Sequence, residues 1–243
     1  MNIKAKIPNL ITLLNLLSGC IAIVFTARDH FDVAFLFVCL GIFFDFFDGF
    51  FARLFKVQSP LGVQLDSLAD MVTSGVVPGF VMFKLILNFQ NIDYSSLDDY
   101  FPTKFILPLF GFFITLGSCY RLAKFNTDTR QTDSFIGLPT PANALFILSI
   151  PLIITSTEIA FLREVLTNPY VLIAISILSV YMMNAEIKLF SLKMKNFSWQ
   201  NSKFQIVFLI LALALLVVLQ IVALPLIILL YVLLSVIQNK MIP

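Results

Sequence analysis

From Phe204 to Ile237 the chain carries no charged side chain over 34 residues. As one helix, that run would be about 51 Å long. The hydrocarbon core of a bilayer is only about 30 Å thick. The run must therefore fold back, and Pro225, which lacks the backbone donor a helix interior needs, marks the expected break between two short spans. Six further apolar stretches precede it, at about 8–27, 31–55, 65–89, 102–124, 141–156 and 169–186. Each is close to the length of one helical crossing.

The expectation is an all-α, polytopic integral membrane helical bundle of about eight transmembrane helices. It would form one domain over 1–243, with a core at about 8–156 and C-terminal helices at about 168–238. Charged residues make up only 12% of the chain and hydrophobic ones 59%, against about 25% charged in a soluble domain. The apolar runs are continuous rather than alternating, which excludes a membrane β-barrel. The first run is long and no small-residue cleavage site follows it, so it is expected to be a span rather than a cleaved signal. Cys20, Cys39 and Cys119 lie within apolar runs without metal-like spacing and read as small buried hydrophobes.

An even number of spans puts both termini on one side. Of the 16 Lys and Arg residues, 12 fall at the termini and in alternate links, and only Arg28, Lys84, Lys104 and Arg163 fall opposite. By the positive-inside rule both termini are cytoplasmic. Membrane lipids are the expected surroundings, and no nucleic-acid partner is expected.

The stretch DFFDGFFARLFKVQSPLGVQLDSLAD, residues 45–70, places four aspartates in or beside two successive spans. Asp45 and Asp48 are three apart and Asp66 and Asp70 four apart, so each pair shares a helix face. The short link between the spans makes them antiparallel neighbours, which lets both pairs converge just below the cytoplasmic surface. Clustered carboxylates there need cations, and Arg53 is the only one nearby within the stretch. An all-oxygen donor set without His or Cys favours Mg²⁺ or Mn²⁺. Gly49 and Ala52 leave room for a large ligand, and Arg53 offers a fork suited to phosphate oxygens. Small residues also serve helix packing, and intramembrane acids also serve as ion relays.

The full pattern, D-x2-D-G-x2-A-R-x8-G-x3-D-x3-D, is filled by Asp45, Asp48, Gly49, Ala52, Arg53, Gly62, Asp66 and Asp70. It resembles the defining motif of the CDP-alcohol phosphotransferase family at all eight fixed positions. The resemblance implies a metal-dependent membrane enzyme that moves a phosphoalcohol or phosphatidyl group from a CDP-linked donor to an acceptor hydroxyl and releases CMP. It implies Asp45, Asp48 and Asp66 as metal ligands, with Asp70 as general base that also touches metal. Asp48, Gly49, Ala52, Arg53 and Gly62 would hold CDP-diacylglycerol. Two Mg²⁺ or Mn²⁺ ions per site and a homodimer are further implications.

Outside the motif, IPNLITLLNLLSGCIAI, DSLADMVTSGVVP, YRLAKFN, FIGLPTPANA and SVYMMNAEIKLFSLK resemble bacterial and archaeal members that use L-serine as acceptor. The likeness covers nearly the whole chain. Lys124 stands where many relatives have Arg, and Asn143 where a small residue is common. The implied reaction joins CDP-diacylglycerol and L-serine into phosphatidylserine and CMP at a bacterial or archaeal cytoplasmic membrane, with the active site facing the cytoplasm. The serine carboxylate would need Arg121 or Asn126 at the end of the fourth span. Arg121 could instead snorkel to lipid phosphates, Asn126 could cap the helix end, and Thr140 reads as a turn residue. The alternatives are the same chemistry on glycerol 3-phosphate, inositol phosphate or an amino alcohol, a divalent-cation transporter, and a non-catalytic scaffold.

Overall fold

The structure, a computed structural model, describes residues 3–90, 106–128, 134–190 and 199–241. The polar acidic stretch 91–103 and residues 191–198, half of the basic stretch 188–203, lie outside these residues. Helices α1 (Ile3–Ala27) and α2 (Phe31–Leu54) form a tightly packed antiparallel pair. Pro8 lies inside α1 rather than opening it; this near the N-terminus, its missing donor removes a single bond.

Helix α3 (Pro60–Asp70) starts earlier than the sequence suggested. Pro60 takes the first helical position, where a missing N–H costs nothing. Ser59 caps the helix, its Oγ accepting from Gly62 N at 3.0 Å. A π turn (Met71–Val76) follows and leads into α4 (Val77–Phe89), which is buried along most of its length. A π turn inside a span commonly sits beside a functional site. The fourth span comprises α5 (Ile106–Leu109), a 3₁₀ turn at Phe110–Phe112 and α6 (Phe113–Thr127). Phe112 stacks on Phe83 at 5.1 Å between ring centroids and fixes this span against α4.

Then come α7 (Thr140–Ser156), the short α8 (Ala160–Thr167), α9 (Pro169–Asn184), α10 (Trp199–Leu219) and α11 (Ala223–Met241). Helix α8 fills the interval between the apolar stretches at 141–156 and 169–186 and meets α9 at a 72° bend. Two three-residue strands, β1 (Ser134–Ile136) and β2 (Lys188–Phe190), pair antiparallel with Phe135 opposite Leu189. This ribbon was not expected in an all-helical reading. It ties the chain entering α7 to the chain leaving α9. Gly137 follows β1 at φ 77°, with its Cα side pressed on the Met183 carbonyl, so no side chain fits there.

The long apolar run does fold back, but not at Pro225. Phe208 and Tyr231 face each other with ring centroids 5.5 Å apart. The turn lies at Gln220–Val222, with Gln220 at φ 49°, and Pro225 sits in the first turn of α11. Among the described residues, five stretches are long and apolar enough to cross a membrane: Lys6–Ala27, Phe31–Leu54, Pro60–Phe89, Ile106–Thr127 and the folded run Lys203–Lys240. The bent α8–α9 pair makes a sixth. That criterion leaves out α7, which has 17 residues, and counts the folded α10–α11 run once, which accounts for its difference from the eight expected spans.

The outer surface is apolar, with Leu10, Leu13, Leu17, Phe43, Phe46 and Phe50 all exposed, as suits lipid rather than water. The cysteines correct the sequence reading: Cys20 and Cys119 are exposed and Cys39 is half-buried. An apolar run meets either protein or lipid, and hydropathy does not separate the two. At the α1–α2 turn, Lys84 Nζ donates to Asp29 Oδ2 at 2.9 Å, and Asn88 Nδ2 donates to Asp29 Oδ1 at 2.8 Å. The four motif aspartates lie toward the opposite end of the bundle.

Candidate active site

Helices α2 and α3 both pack against α1 rather than closely on each other, and their acidic faces meet across the gap between them. One carboxylate oxygen from each of Asp45, Asp48 and Asp66 lies within 4.8 Å of the others. Asp48 is buried, and Asp45 and Asp66 are half-buried. Asp70, one turn beyond Asp66, stands outside this group, and its Oδ1 accepts from Asn15 Nδ2 at 3.1 Å. Three carboxylates this close repel one another unless a cation joins them. The donors are all oxygen, with neither His nor Cys in the group. That set fits a hard divalent ion such as Mg²⁺ or Mn²⁺.

A cavity lies on each side of the carboxylates. The larger, about 560 Å³, is lined by Asn9 and Thr12 of α1, by Asp48, Gly49, Ala52 and Arg53 of α2, and by Gly62 and Asp66 of α3. The smaller, about 270 Å³, is lined by Asp45, Asp66, Asp70, Arg121, Asn126 and Thr140 among others. Asp66 faces both. The aspartates form the wall between two chambers, one holding the motif's small and basic residues and the other holding Arg121.

Gly49 and Gly62 work differently. A Cβ at Gly49 would meet nothing closer than Arg53 Nη1 at 3.7 Å, so this glycine keeps space open beside the guanidinium. A Cβ at Gly62 would press on Ser59 Oγ at 3.3 Å and Asn9 Oδ1 at 3.4 Å, so this glycine lets the α3 cap close on α1. In the smaller cavity Arg121 is only 4% exposed, too buried to reach lipid phosphates. Its guanidinium carbon lies 5.6 Å from the Phe125 ring centroid, and its Nε has no hydrogen-bond partner among the described residues. Asn126 is exposed and donates Nδ2 to Ser67 Oγ at 2.8 Å, bridging α6 to α3. Lys124 is drawn away by Glu186, with Nζ to Oε1 at 2.7 Å. Thr140 does more than turn the chain: it opens α7 and lines the cavity.

Sequence reasoning missed the contribution of α1. Thr12 Oγ1 donates to Asp48 Oδ2 at 2.5 Å, and Asn15 holds Asp70. A signal was present: Asn9, Thr12, Asn15 and Ser18 recur every third residue on an otherwise apolar helix. Polar residues so placed in a span mark packing or function.

The family model described as CDP-alcohol phosphatidyltransferase matches residues 5–175. A Bacillus subtilis protein named CDP-diacylglycerol–serine O-phosphatidyltransferase is 34% identical over 139 residues, covering 56% of this chain and 69% of that protein. A Saccharomyces cerevisiae protein of the same name is 34% identical over 154 residues, covering 57% of this chain and 50% of its own length. An archaetidylserine synthase of Methanothermobacter thermautotrophicus is 28% identical over 177 residues, covering 72% of this chain and 66% of that protein. The chain thus spans about half the length of the yeast relative and about two thirds of the other two.

Proposed function

Because the chain belongs to the CDP-alcohol phosphatidyltransferase family, we propose that it transfers the phosphatidyl group of CDP-diacylglycerol to the hydroxyl of L-serine, giving phosphatidylserine and CMP. The observation that carries this reading is the wall of carboxylates with a cavity on either side, Asp66 lining both. Two substrates can meet there across one site. The names of the relatives from Bacillus subtilis and yeast support serine as acceptor.

The larger cavity is the donor site. Arg53 binds pyrophosphate oxygens, Gly49 and Ala52 leave room for the nucleotide, and the acyl chains stay in the bilayer. Asp45, Asp48 and Asp66 would hold Mg²⁺ or Mn²⁺, with Asp70 beside them. Such ions, when bound, supply charge neutralisation at the pyrophosphate and at the departing oxygen. The smaller cavity takes serine, its carboxylate facing Arg121 and its ammonium the aspartates. Asp70 accepts the hydroxyl proton. The serine oxygen forms a bond to the phosphorus that carries diacylglycerol, and the bond from that phosphorus to CMP breaks with its electron pair on CMP.

The site faces the cytoplasm. Support comes from the basic residues gathered at its end of the bundle, Lys6, Arg53 and Lys56, under the positive-inside rule.

The test is purified protein in lipid nanodiscs with CDP-diacylglycerol, L-serine and Mn²⁺ or Mg²⁺, followed for CMP and phosphatidylserine. CMP release dependent on serine supports the assignment. No CMP release with any hydroxyl acceptor, together with Mn²⁺ uptake into proteoliposomes, would make the carboxylates a transport site instead.

A further inference from the structure

Asn15 is fully buried in α1, yet only half of its side-chain amide is used. Nδ2 donates to Asp70 Oδ1 at 3.1 Å, while Oδ1 has no hydrogen-bond partner among the described residues. Leaving an acceptor dry in the interior is unfavourable, so this residue is not there for stability alone.

Its surroundings fix it from three sides. The Asn15 carbonyl accepts from Thr73 Oγ1 at 3.1 Å, and Thr73 stands in the π turn that begins just after Asp70. A Cβ at Gly41 on α2 would come within 2.9 Å of Asn15 Oδ1 and 2.6 Å of Thr73 Cγ2. One at Gly19 would come within 2.6 Å of Thr73 Oγ1. Both glycines are therefore needed for α1, α2 and the π turn to close around the amide. Thr73, three residues after Asp70, thus ties to α1 the same stretch of chain that carries Asp70.

We propose that Asn15 is a positioning residue for Asp70: it occupies Oδ1 and leaves Oδ2 free on the side of the acceptor cavity to take the hydroxyl proton. The role rests on the phosphatidyl-transfer reading. The proton moves from the acceptor oxygen to Asp70 Oδ2, the oxygen's electron pair forms the new bond to phosphorus, and CMP leaves with the electron pair of the bond that breaks. Asn15 itself touches neither substrate. Thr12 holds Asp48 in the same manner but on the donor side, so the two residues of α1 act on separate halves of the reaction.

The test is Asn15→Leu, similar in size and without the donor, in full-length protein in nanodiscs. Four quantities are measured: kcat, the KM for CDP-diacylglycerol, Mn²⁺ affinity by the free-ion electron paramagnetic resonance signal without substrate, and Tm. A misplaced general base loses part of its contribution, so kcat falls about 10- to 100-fold. Donor KM and Mn²⁺ affinity stay within about twofold, since those depend on groups Asn15 does not contact. If Asn15→Leu is not recovered folded, Asn15→Ser, too short to reach Asp70, carries the same expectation. Unchanged kcat in a folded variant overturns the role. So does a fall in kcat matched by equal losses of donor KM and Mn²⁺ affinity, which would make Asn15 a packing residue. A wild type that releases no CMP from CDP-diacylglycerol overturns the transferase reading itself, whereas an active wild type with an equally active Asn15→Leu overturns only this assignment.

Discussion

Phe208 and Tyr231 are 23 positions apart in one uncharged run, yet their ring centroids stand 5.5 Å apart, and both rings pack on Phe190 of the ribbon. In a single straight helix the two positions would be about 35 Å apart. The Tyr231 hydroxyl also donates to the Phe190 carbonyl at 2.8 Å, which anchors the hairpin to the segment leaving α9. Cysteines placed at 208 and 231 in a cysteine-free chain should therefore be joined within one molecule by a short bis-maleimide. Crosslinking only between molecules would mean the run stays straight.

That hairpin shows what the sequence disclosed and what it withheld. A charge-free run too long for one crossing announces that it must break, and Pro225 was the visible breaker. The break falls instead at Gln220, whose left-handed backbone no residue preference of glutamine foretells. The aspartates were legible because helix periodicity and a short link leave them little freedom. The second cavity was only half legible. Arg121 and Asn126 stood out as chemistry, but their placement in one cavity with Asp70 depends on how α6 packs against α3 and α7 against the π turn, which no local pattern encodes. The α1 stripe of Asn9, Thr12, Asn15 and Ser18 was in plain sight and went unread beside the stronger acidic signal. The β1–β2 ribbon has three residues per strand, too few for a period to show.

Sidedness can be tested at Gln58 and Asp32, both exposed and at opposite ends of α2 and its flanking turn. In intact cells, Gln58→Cys should resist a membrane-impermeant thiol reagent and Asp32→Cys should react. The basic residues on the Gln58 side motivate this. The reverse labelling pattern would put the chemistry outside the cell.

The acidic group predicts a metal requirement. Chelation with EDTA should abolish CMP release, and Mg²⁺ or Mn²⁺ should restore it. Asp48→Asn and Asp66→Asn should each lower turnover about 100-fold or more and weaken Mn²⁺ binding. Thr12→Val removes the 2.5 Å bond to Asp48 and should raise the Mn²⁺ concentration for half-activation while leaving the serine KM in place. Full activity after rigorous metal removal would contradict the whole set.

Arg121 predicts a divided kinetic effect. It is buried and lines the smaller cavity only. Loss of a charge-assisted hydrogen bond to the serine carboxylate, worth about 1.5–3 kcal/mol, should raise the serine KM of Arg121→Ala by about tenfold or more. The CDP-diacylglycerol KM should hold. Asn126→Ala should do less, because that amide is already engaged with Ser67. Steady-state kinetics with each substrate varied in turn will decide, and an unchanged serine KM in Arg121→Ala removes it from the acceptor site.

Charge balance favours serine as the acceptor proposed for this pocket. The smaller cavity presents Asp45, Asp66 and Asp70, and Arg121 is the only cation among its described lining residues. Lys124 nearby is held by Glu186. One guanidinium suits one carboxylate, and the aspartates suit an ammonium. A phosphorylated acceptor would bring about −1.5 to −2 charge into a chamber with a single cation to meet it. The most direct measurement is a competition with equimolar L-serine, glycerol 3-phosphate and inositol phosphate on purified protein with CDP-diacylglycerol and Mn²⁺, with the lipid products resolved by mass. Phosphatidylserine should dominate; a predominance of phosphatidylglycerol phosphate or phosphatidylinositol phosphate would contradict the assignment.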